Sequence, residues 1–239
     1  MSSSSRSFAP KPVRRRRWPW LLLAALLAPL AYAVALIWLP VPATPLILWR
    51  WVNGVGVSSE HWFWQRNWVP LARLPTVIPQ AVIASEDNRF CLHGGVDWLA
   101  VQQVYEEWQD GEGLRGASTV SMQVARNVFL WPNQDPLRKG LEVPFTYLIE
   151  YLWGKRRIME VYLNIAEWGP GVYGIDAAAR YHFNKPARKL SRAEVFRLIS
   201  ILPSPLRWNP KAPSRWARGR VASLGMRIVQ LGPLTQCVK

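Results

Sequence analysis

The stretch STVSMQVARNVFL, residues 118–130, carries the helical pattern on which the fold class rests. Valines recur at every fourth position from Val120 to Val128, so they lie on one face of a helix. Ser118 and Thr119 stand at its start, where a hydroxyl can cap the first free backbone N–H groups. The pattern predicts a capped helix that buries its valine face.

Similar periodicity appears on both sides of this stretch. One-sided apolar patterns predict further helices over residues 97–108, 135–145, 155–164 and 191–202. Pro136 suits a first helical position, and Ser191 with Glu194 forms a capping box. Pro144 is expected to bend its helix. Strand-like alternation is scarce after residue 75, so we expect a mainly α domain over residues 71–225.

An uncharged apolar segment occupies residues 18–39. About 20 apolar residues cross a bilayer as a helix. Its length favours a transmembrane helix over a cleaved signal peptide, although Ala31-Tyr32-Ala33 resembles a cleavage site. Arginines end the basic tail of residues 1–17, so the tail is expected in the cytoplasm and the body outside.

A proline- and tryptophan-rich connector follows over residues 40–70, and a C-terminal tail is expected over residues 226–239. Two interpretations of the connector stay open: a surface resting on the outer leaflet, or a subdomain packed on the body. Its tryptophans are Trp49, Trp51, Trp62, Trp64 and Trp68.

The chain of 239 residues carries a net charge of +15. Such an excess suits nucleic acid, anionic lipid headgroups or a phosphorylated substrate. No nucleic-acid-binding motif is visible, so nucleic acid is not an expected partner. Cys91 and Cys237 lack metal-ligand spacing. They could form a disulfide, but two unpaired thiols are favoured because a domain of this size does not need a covalent link.

Two adjacent carboxylates end an apolar run in AVIASEDNRFCLHGG, residues 81–95. A helix from Pro79 to Ser85 would place Glu86 at its C-terminal end, where the macrodipole disfavours an anion. Apolar neighbours would desolvate it, and both effects make Glu86 a better proton acceptor. The alternative is that Glu86 pairs with an arginine and Asp87 binds the backbone of the following turn.

A second carboxylate, Glu142, lies one helical turn after Arg138 and beside Lys139. An acid among cations suits a site for a negatively charged group, although a plain surface ion pair is the commoner meaning. Gln123 and Arg126 are three residues apart on the preceding helix, so they can face the same site.

Five motifs occur in the order and spacing of the peptidoglycan glycosyltransferases, which the chain resembles over about residues 70–210. They are EDNRF with HGG (86–95), GASTVSMQ (116–123), RKGLE (138–142), RIMEVYLN (157–164) and YGIDAAARYHF (173–183). The run AEWGPGVYG, residues 166–174, and the lack of a transpeptidase domain resemble the monofunctional biosynthetic members.

The resemblance implies a mainly α, two-lobed, lysozyme-like glycosyltransferase domain with one N-terminal transmembrane helix. It implies an enzyme that polymerises a lipid-linked disaccharide-peptide, lipid II, into β-1,4 glycan strands and releases undecaprenyl diphosphate. Its partners would be lipid II, the growing strand, membrane lipids and other cell-wall synthesis or division proteins. The chain would lie in the inner membrane as a single-pass protein with a periplasmic catalytic domain.

The same resemblance implies a role for each site residue. Glu86 would be the general base, and Glu142 would assist at the donor diphosphate directly or by ordering cations. The cations at the diphosphate would be Arg126, Arg138 and Lys139. The groups that position sugar or phosphate would be Ser118, Thr119 and Gln123. The structural shell would be Asp87, Phe90, His93 and Asn164.

The sequence departs from the family where Met122 replaces the first of two usual glutamines. His61, His93 and His182 lack ligand spacing, so no metal site is predicted, and His93 is expected to make a structural hydrogen bond. No cofactor is expected to be required, and a divalent cation, Mg²⁺ or Mn²⁺, at the diphosphate stays open, without a dedicated site for it in the sequence. The alternative functions are a lytic transglycosylase or lysozyme-like hydrolase and an inactive membrane-anchored scaffold.

Overall fold

A computed structural model of the chain describes residues 18–54, 67–111, 116–133 and 135–239. The predicted basic tail, His61, Trp62 and Trp64 lie outside these residues. The expectation of a mainly α protein is confirmed. The elements in order are α1 (Trp18–Ala35), α2 (Pro45–Val52), α3 (Val77–Glu86), α4 (Trp98–Gln109), α5 (Val120–Phe129), α6 (Pro136–Ile165), β1 (Glu167–Gly169), β2 (Val172–Tyr173), α7 (Ile175–Phe183), α8 (Arg192–Ser200) and α9 (Arg215–Leu231). The strands β1 and β2 pair antiparallel.

Helices α5 and α6 form the centre of the domain and pack along each other. The valine face of α5 is buried, as its periodicity predicts. Thr119 caps α5, because its Oγ1 accepts a hydrogen bond from the N–H of Met122 at 3.1 Å. At the other end of the helix, the rings of Phe129 and Phe145 stack with centroids 4.8 Å apart.

Helix α6 joins the two helices that the sequence predicts over residues 135–145 and 155–164. Pro144 lies inside it, but the residue with non-helical backbone angles is Gly154, at φ 67° and ψ 169°. A positive φ is accessible to glycine without steric cost, so the direction of α6 changes there. The break in α6 therefore lies ten residues beyond the proline at which the sequence predicts a bend.

The C-terminal end of α1 lies against α6. Trp153 Nε1 donates to the carbonyl oxygen of Ala33 at 2.8 Å, and Arg157 Nη2 donates to that of Leu36 at 3.0 Å. Ala33 and Leu36 are both buried. Helix α1 ends at Ala35, whereas the uncharged segment of the sequence extends to residue 39. Across the described ranges, no helix combines the length and the apolar character needed to cross a membrane.

The connector packs partly on the domain. Ile47 of α2 is buried, and Arg50 Nη2 lies 3.4 Å from Glu167 Oε2 in an ion pair. Trp49 and Trp51 of the same helix remain exposed at 41% and 46%. The packing interpretation therefore holds for one face of α2, and its tryptophan face remains available to a membrane surface.

The C-terminal segment is part of the domain, which corrects the expected tail over residues 226–239. Helix α9 packs on α3 and α8. A 3₁₀ helix over Gly232–Val238 follows it, and this helix buries Thr235 and Val238. Its apolar and small side chains fill space beside α3 and α6, which explains why the segment does not extend into solvent.

Cys91 and Cys237 form a disulfide across 146 residues of sequence. The expectation of two unpaired thiols is therefore wrong. The 3₁₀ helix at the C-terminus returns the chain to the loop that follows α3, and this long-range approach leaves no local sequence pattern. The disulfide fixes the C-terminal segment against the loop that follows α3.

Removing the disulfide by the double substitution Cys91→Ser and Cys237→Ser should lower the free energy of unfolding by about 2–4 kcal/mol, because the unfolded chain is no longer constrained by a long closed loop. Urea denaturation with and without reductant measures this. Reductant should shift the midpoint of the wild-type protein and leave that of the double variant unchanged. If reductant left the midpoint of the wild-type protein unchanged, this would contradict a stabilising role for the disulfide.

Candidate active site

Glu86 is the last residue of α3, after an apolar run whose side chains are buried. Its side chain is 13% exposed, and Oε1 accepts hydrogen bonds from Arg220 Nη2 at 3.1 Å and Ser85 Oγ at 2.9 Å. The arginine pairing that the sequence leaves open is therefore real. Oε2 accepts no hydrogen bond from the residues that the structure describes, so it remains free to take a proton.

Asp87 connects the end of α3 to the start of α5. Its buried carboxylate accepts from the N–H of Val120 at 2.9 Å and from His93 Nε2 at 3.0 Å. The N–H of Gly95 donates to His93 Nδ1 at 3.1 Å, so the ring proton is on Nε2. Both side chains make structural hydrogen bonds beside Glu86, as the sequence analysis expects of His93.

The turn after Asp87 requires a glycine at position 95. Gly95 has a φ of 109°, and a Cβ atom there would lie 2.7 Å from Thr146 Cγ2. Its carbonyl oxygen accepts a hydrogen bond from Thr119 Oγ1. Phe90 is fully buried below the turn, with Lys155 Nζ 4.5 Å from its ring centroid. Phe90 therefore supports the loop and does not face the site.

Glu142 lies on α6 with a cation on each carboxylate oxygen. Arg138 Nη1 donates to Oε1 at 2.6 Å, and Lys139 Nζ donates to Oε2 at 2.8 Å. Glu142 and Arg138 are buried, whereas the side chain of Lys139 is 53% exposed. The alternative interpretation, in which Glu142 forms a plain surface ion pair, is therefore excluded, because its side chain is buried. A buried acid holds one buried cation and one cation that reaches solvent.

Arg126 adds a third cation near Glu142. Burial lowers the pKa of its guanidinium, and Arg138 lowers it further, while Glu142 and Tyr162 oppose the shift. Within the described part of the chain, no carboxylate lies within ion-pair distance of Arg126. A half-buried arginine without its own counter-ion can bind an incoming anion.

Tyr162 is a buried residue of α6 that lies near charged groups of α3 and α5. Its hydroxyl donates to Gln123 Oε1 at 3.4 Å. Burial raises the pKa of this hydroxyl well above 10, the charges of Glu86 and Asp87 raise it further, and Arg126 opposes them. The Tyr162 hydroxyl therefore lies close enough to Glu86, Asp87 and Arg126 for their charges to act on it. From the sequence alone, Tyr162 is only one residue of the helix predicted over residues 155–164.

Residues 118–123 divide between the site and the core. Lys139 Nζ donates to Ser118 Oγ at 3.3 Å, which joins the start of α5 to the cation cluster. Thr119 is buried and uses its hydroxyl for capping and for Gly95, so it positions α5 and not a ligand. Met122 is also buried. An apolar side chain suits that position.

Asn164 fixes the segment that precedes α3. Its Oδ1 accepts from the N–H of Val69 at 2.8 Å, and its Nδ2 donates to the carbonyl oxygens of Val69 at 2.9 Å and Glu160 at 2.8 Å. The side chain is fully buried. These hydrogen bonds join α6 to the segment before α3, and a shell role for Asn164 stays a prediction.

Arg220 was missed by the sequence analysis. It lies on α9, 134 residues after Glu86, and its Nη2 also donates to Ser85 Oγ. The one available signal was that the chain contains several arginines and no acid after Glu194. The arginines of this segment can pair with carboxylate side chains only from earlier parts of the chain, and Glu86 is one such partner.

The candidate residues comprise a partly exposed carboxylate, Glu86, and a set of cations around Glu142. Among the described residues, no group of three or more His, Cys, Asp or Glu side chains could hold a metal ion. Both oxygens of Glu142 are already bound to cations. The chemistry that these residues support is proton abstraction at Glu86 combined with stabilisation of negative charge near Lys139 and Arg126.

Comparison with known proteins gives a consistent result. A family described as Transglycosylase matches residues 57–227 of the chain. A biosynthetic peptidoglycan transglycosylase from Rhodospirillum centenum is 46% identical over 235 residues, which cover 97% of this chain and 98% of that protein. One from Pseudomonas aeruginosa is 46% identical over 88% of this chain and 90% of its own length. One from Caulobacter vibrioides is 41% identical over 91% and 93%, respectively.

Proposed function

The chain belongs to the transglycosylase family, and on that premise we propose that it is a peptidoglycan glycosyltransferase. It extends β-1,4 glycan strands from lipid II and releases undecaprenyl diphosphate. The observation that carries the proposal is a buried Glu142 that holds Arg138 and Lys139 at 2.6 and 2.8 Å, in a chain whose α3 ends at the partly exposed carboxylate of Glu86. Glu86 would then act on the acceptor hydroxyl while the cations bind the diphosphate of the donor.

The proposed reaction is one inverting displacement. The donor is α-linked to diphosphate and the product bond is β, so no protein nucleophile is needed. Oε2 of Glu86 takes the proton of the acceptor 4-hydroxyl as its oxygen attacks the donor's anomeric carbon. The bond from that carbon to the diphosphate oxygen breaks, and its electron pair leaves with the diphosphate. A positioned general base contributes about 10²–10⁴ in rate.

The departing diphosphate needs positive charge that is already in place. Lys139 is half exposed and Arg126 has no carboxylate partner within the described ranges, so both can bind phosphate oxygens. Glu142 is buried and bound to two cations. This geometry favours Glu142 as the group that orders the cations over direct contact with the donor. A divalent cation at the diphosphate stays a prediction, and no step depends on it.

A membrane location follows from the lipid substrate and forms part of the proposal. The chain would be a single-pass inner-membrane protein with a cytoplasmic N-terminus and a periplasmic catalytic domain. The uncharged segment 18–39 after a basic tail supports this. Exposed aromatic rings on α2 and at Trp38, which is 74% exposed, support it further because tryptophan suits the membrane–water boundary. The helical scaffold supports the two-lobed, lysozyme-like arrangement.

The direct test incubates the purified full-length protein with lipid II and, separately, with finished glycan. We expect chain growth from lipid II and no cleavage of finished glycan. Cleavage without growth would support the lytic or hydrolase alternative. If the protein neither extends lipid II nor cleaves finished glycan, but still binds other cell-wall proteins, this would support the inactive scaffold.

Lys139→Ala should weaken use of the donor by roughly 10- to 100-fold, because a charge-assisted hydrogen bond to phosphate is lost. A lipid-linked disaccharide whose 4-hydroxyl is replaced by hydrogen can donate but cannot accept, so its concentration dependence reports the donor alone. Lys189→Ala is the matched control, since Lys189 is an exposed lysine outside the site. Equal losses for donor and acceptor would argue against a diphosphate role for Lys139.

A further inference from the structure

A cavity of about 720 Å³ opens beside Glu86 and contains none of the residues assigned above to the donor diphosphate. Ser85, at the end of α3, contributes to one wall. Arg220, Arg227 and Gln230 of α9 contribute to the other. Ser85 and Arg220 also contact the Glu86 carboxylate, so two residues that line the cavity touch the proposed base.

The cavity carries positive charge that the described residues do not fully neutralise. Arg220 and Arg227 are two helical turns apart, so they lie on the same face of α9. Arg220 is paired with Glu86, but Arg227 is exposed and has no carboxylate partner in the described part of the chain. A neighbouring depression of about 680 Å³ is lined by the same two arginines. A ligand of this surface would be an anion.

The remaining lining argues for a ligand larger than a phosphate group. The Gln230 amide and the Ser85 hydroxyl offer neutral donors and acceptors, and Leu231 adds an apolar contact. The volume lies in the range of about 300–1,000 Å³ that is typical of sites for small organic molecules. Carboxylates, amide groups and short aliphatic side chains match these features, and a peptide contains all three.

We propose that this cavity binds the carboxylate-bearing peptide of the acceptor substrate, with Arg227 as its carboxylate receptor. The inference rests on the proposed function, because that function places the acceptor 4-hydroxyl at Glu86. The peptide is attached to the second sugar of the acceptor, one ring away from the attacking hydroxyl. A cavity that shares Ser85 and Arg220 with the surroundings of Glu86, and that continues along α9, is therefore placed to receive it.

The test compares the wild-type protein with Arg227→Gln and with Arg218→Gln as a matched control. Arg218 is an exposed arginine of α9 that lines neither cavity. Two acceptors are used, lipid-linked disaccharide with and without its peptide, against a fixed excess of the 4-deoxy donor. Arg227→Gln should raise KM for the peptide-bearing acceptor about ten-fold, leave kcat within two-fold, and leave the peptide-free acceptor unaffected. Arg218→Gln should change neither.

Two results would overturn the assignment. An unchanged KM in Arg227→Gln shows that the cavity does not bind the acceptor. Equal increases for both acceptors assign Arg227 to the diphosphate or to anionic lipid instead of the peptide.

A second measurement separates this inference from the proposed function. Calorimetric titration of the same three full-length proteins with soluble, lipid-free disaccharide-peptide requires no turnover. Weaker binding in Arg227→Gln alone supports the cavity even if no glycan is formed, and equal binding to all three proteins overturns it. Absence of polymerisation by the wild-type protein would instead count against the proposed function.

Discussion

Glu86→Gln is expected to abolish glycan polymerisation while leaving the binding of lipid substrate largely intact. Glutamine has nearly the same shape, and its amide oxygen can still accept from Arg220 and Ser85. It cannot take a proton from the acceptor hydroxyl, so the loss in kcat should be at least about 10²–10⁴-fold. Single-turnover extension of labelled lipid II measures the rate, and a binding titration in the same detergent measures affinity.

Glu106→Gln is the control for this substitution. Glu106 is an exposed glutamate of α4 whose carboxylate accepts from Gln102 Nε2, so its neutralisation should leave polymerisation unchanged. Turnover of Glu86→Gln near that of the wild type would exclude Glu86 as the base. A selective loss of substrate affinity would assign Glu86 a binding role only.

Glu142→Gln should reduce both stability and turnover. The substitution leaves Arg138 buried without a counter-charge, and removal of one partner of a buried ion pair destabilises a protein by about 3–5 kcal/mol. It also releases Lys139 from its fixed position, so the diphosphate receptor becomes less ordered. Urea denaturation and donor-dependent kinetics measure the two losses separately.

A second variant separates the stability effect from the catalytic effect. In Arg138→Gln combined with Glu142→Gln, no charge is left unpaired in the buried pair, so part of the lost stability should return. Turnover should remain low because the diphosphate receptor lacks both ordering and charge. If Glu142→Gln kept both the denaturation midpoint and the turnover of the wild-type protein, this would contradict the role of Glu142 in holding the cations.

Sequence periodicity predicted those features that depend on neighbouring residues. The cap at Thr119, the capping box of Ser191 and Glu194, and the placement of Glu86 at the end of α3 all follow from local backbone chemistry. The pairing of Glu142 with Arg138 and Lys139 follows from the three- and four-residue spacing of one helix. The depth at which Glu142 is buried could not be read from that spacing.

Long-range contacts accounted for what the sequence did not predict. Arg220 meets Glu86 across 134 residues, and Cys237 meets Cys91 across 146. Both depend on α9 and the 3₁₀ helix folding back beside α3, which no local pattern indicates. The burial of Met122 likewise depends on how α5 packs in the domain. Tyr162 gains its importance only from the partners that α3 and α5 bring near its hydroxyl.

A crystal structure of the Glu86→Gln variant with bound lipid II would test the shared site most directly, since this variant should bind substrate without consuming it. We expect the acceptor 4-hydroxyl within hydrogen-bonding distance of residue 86 and a donor diphosphate against Lys139 and Arg126. Sugar bound away from residue 86, or diphosphate bound away from those cations, would contradict the account.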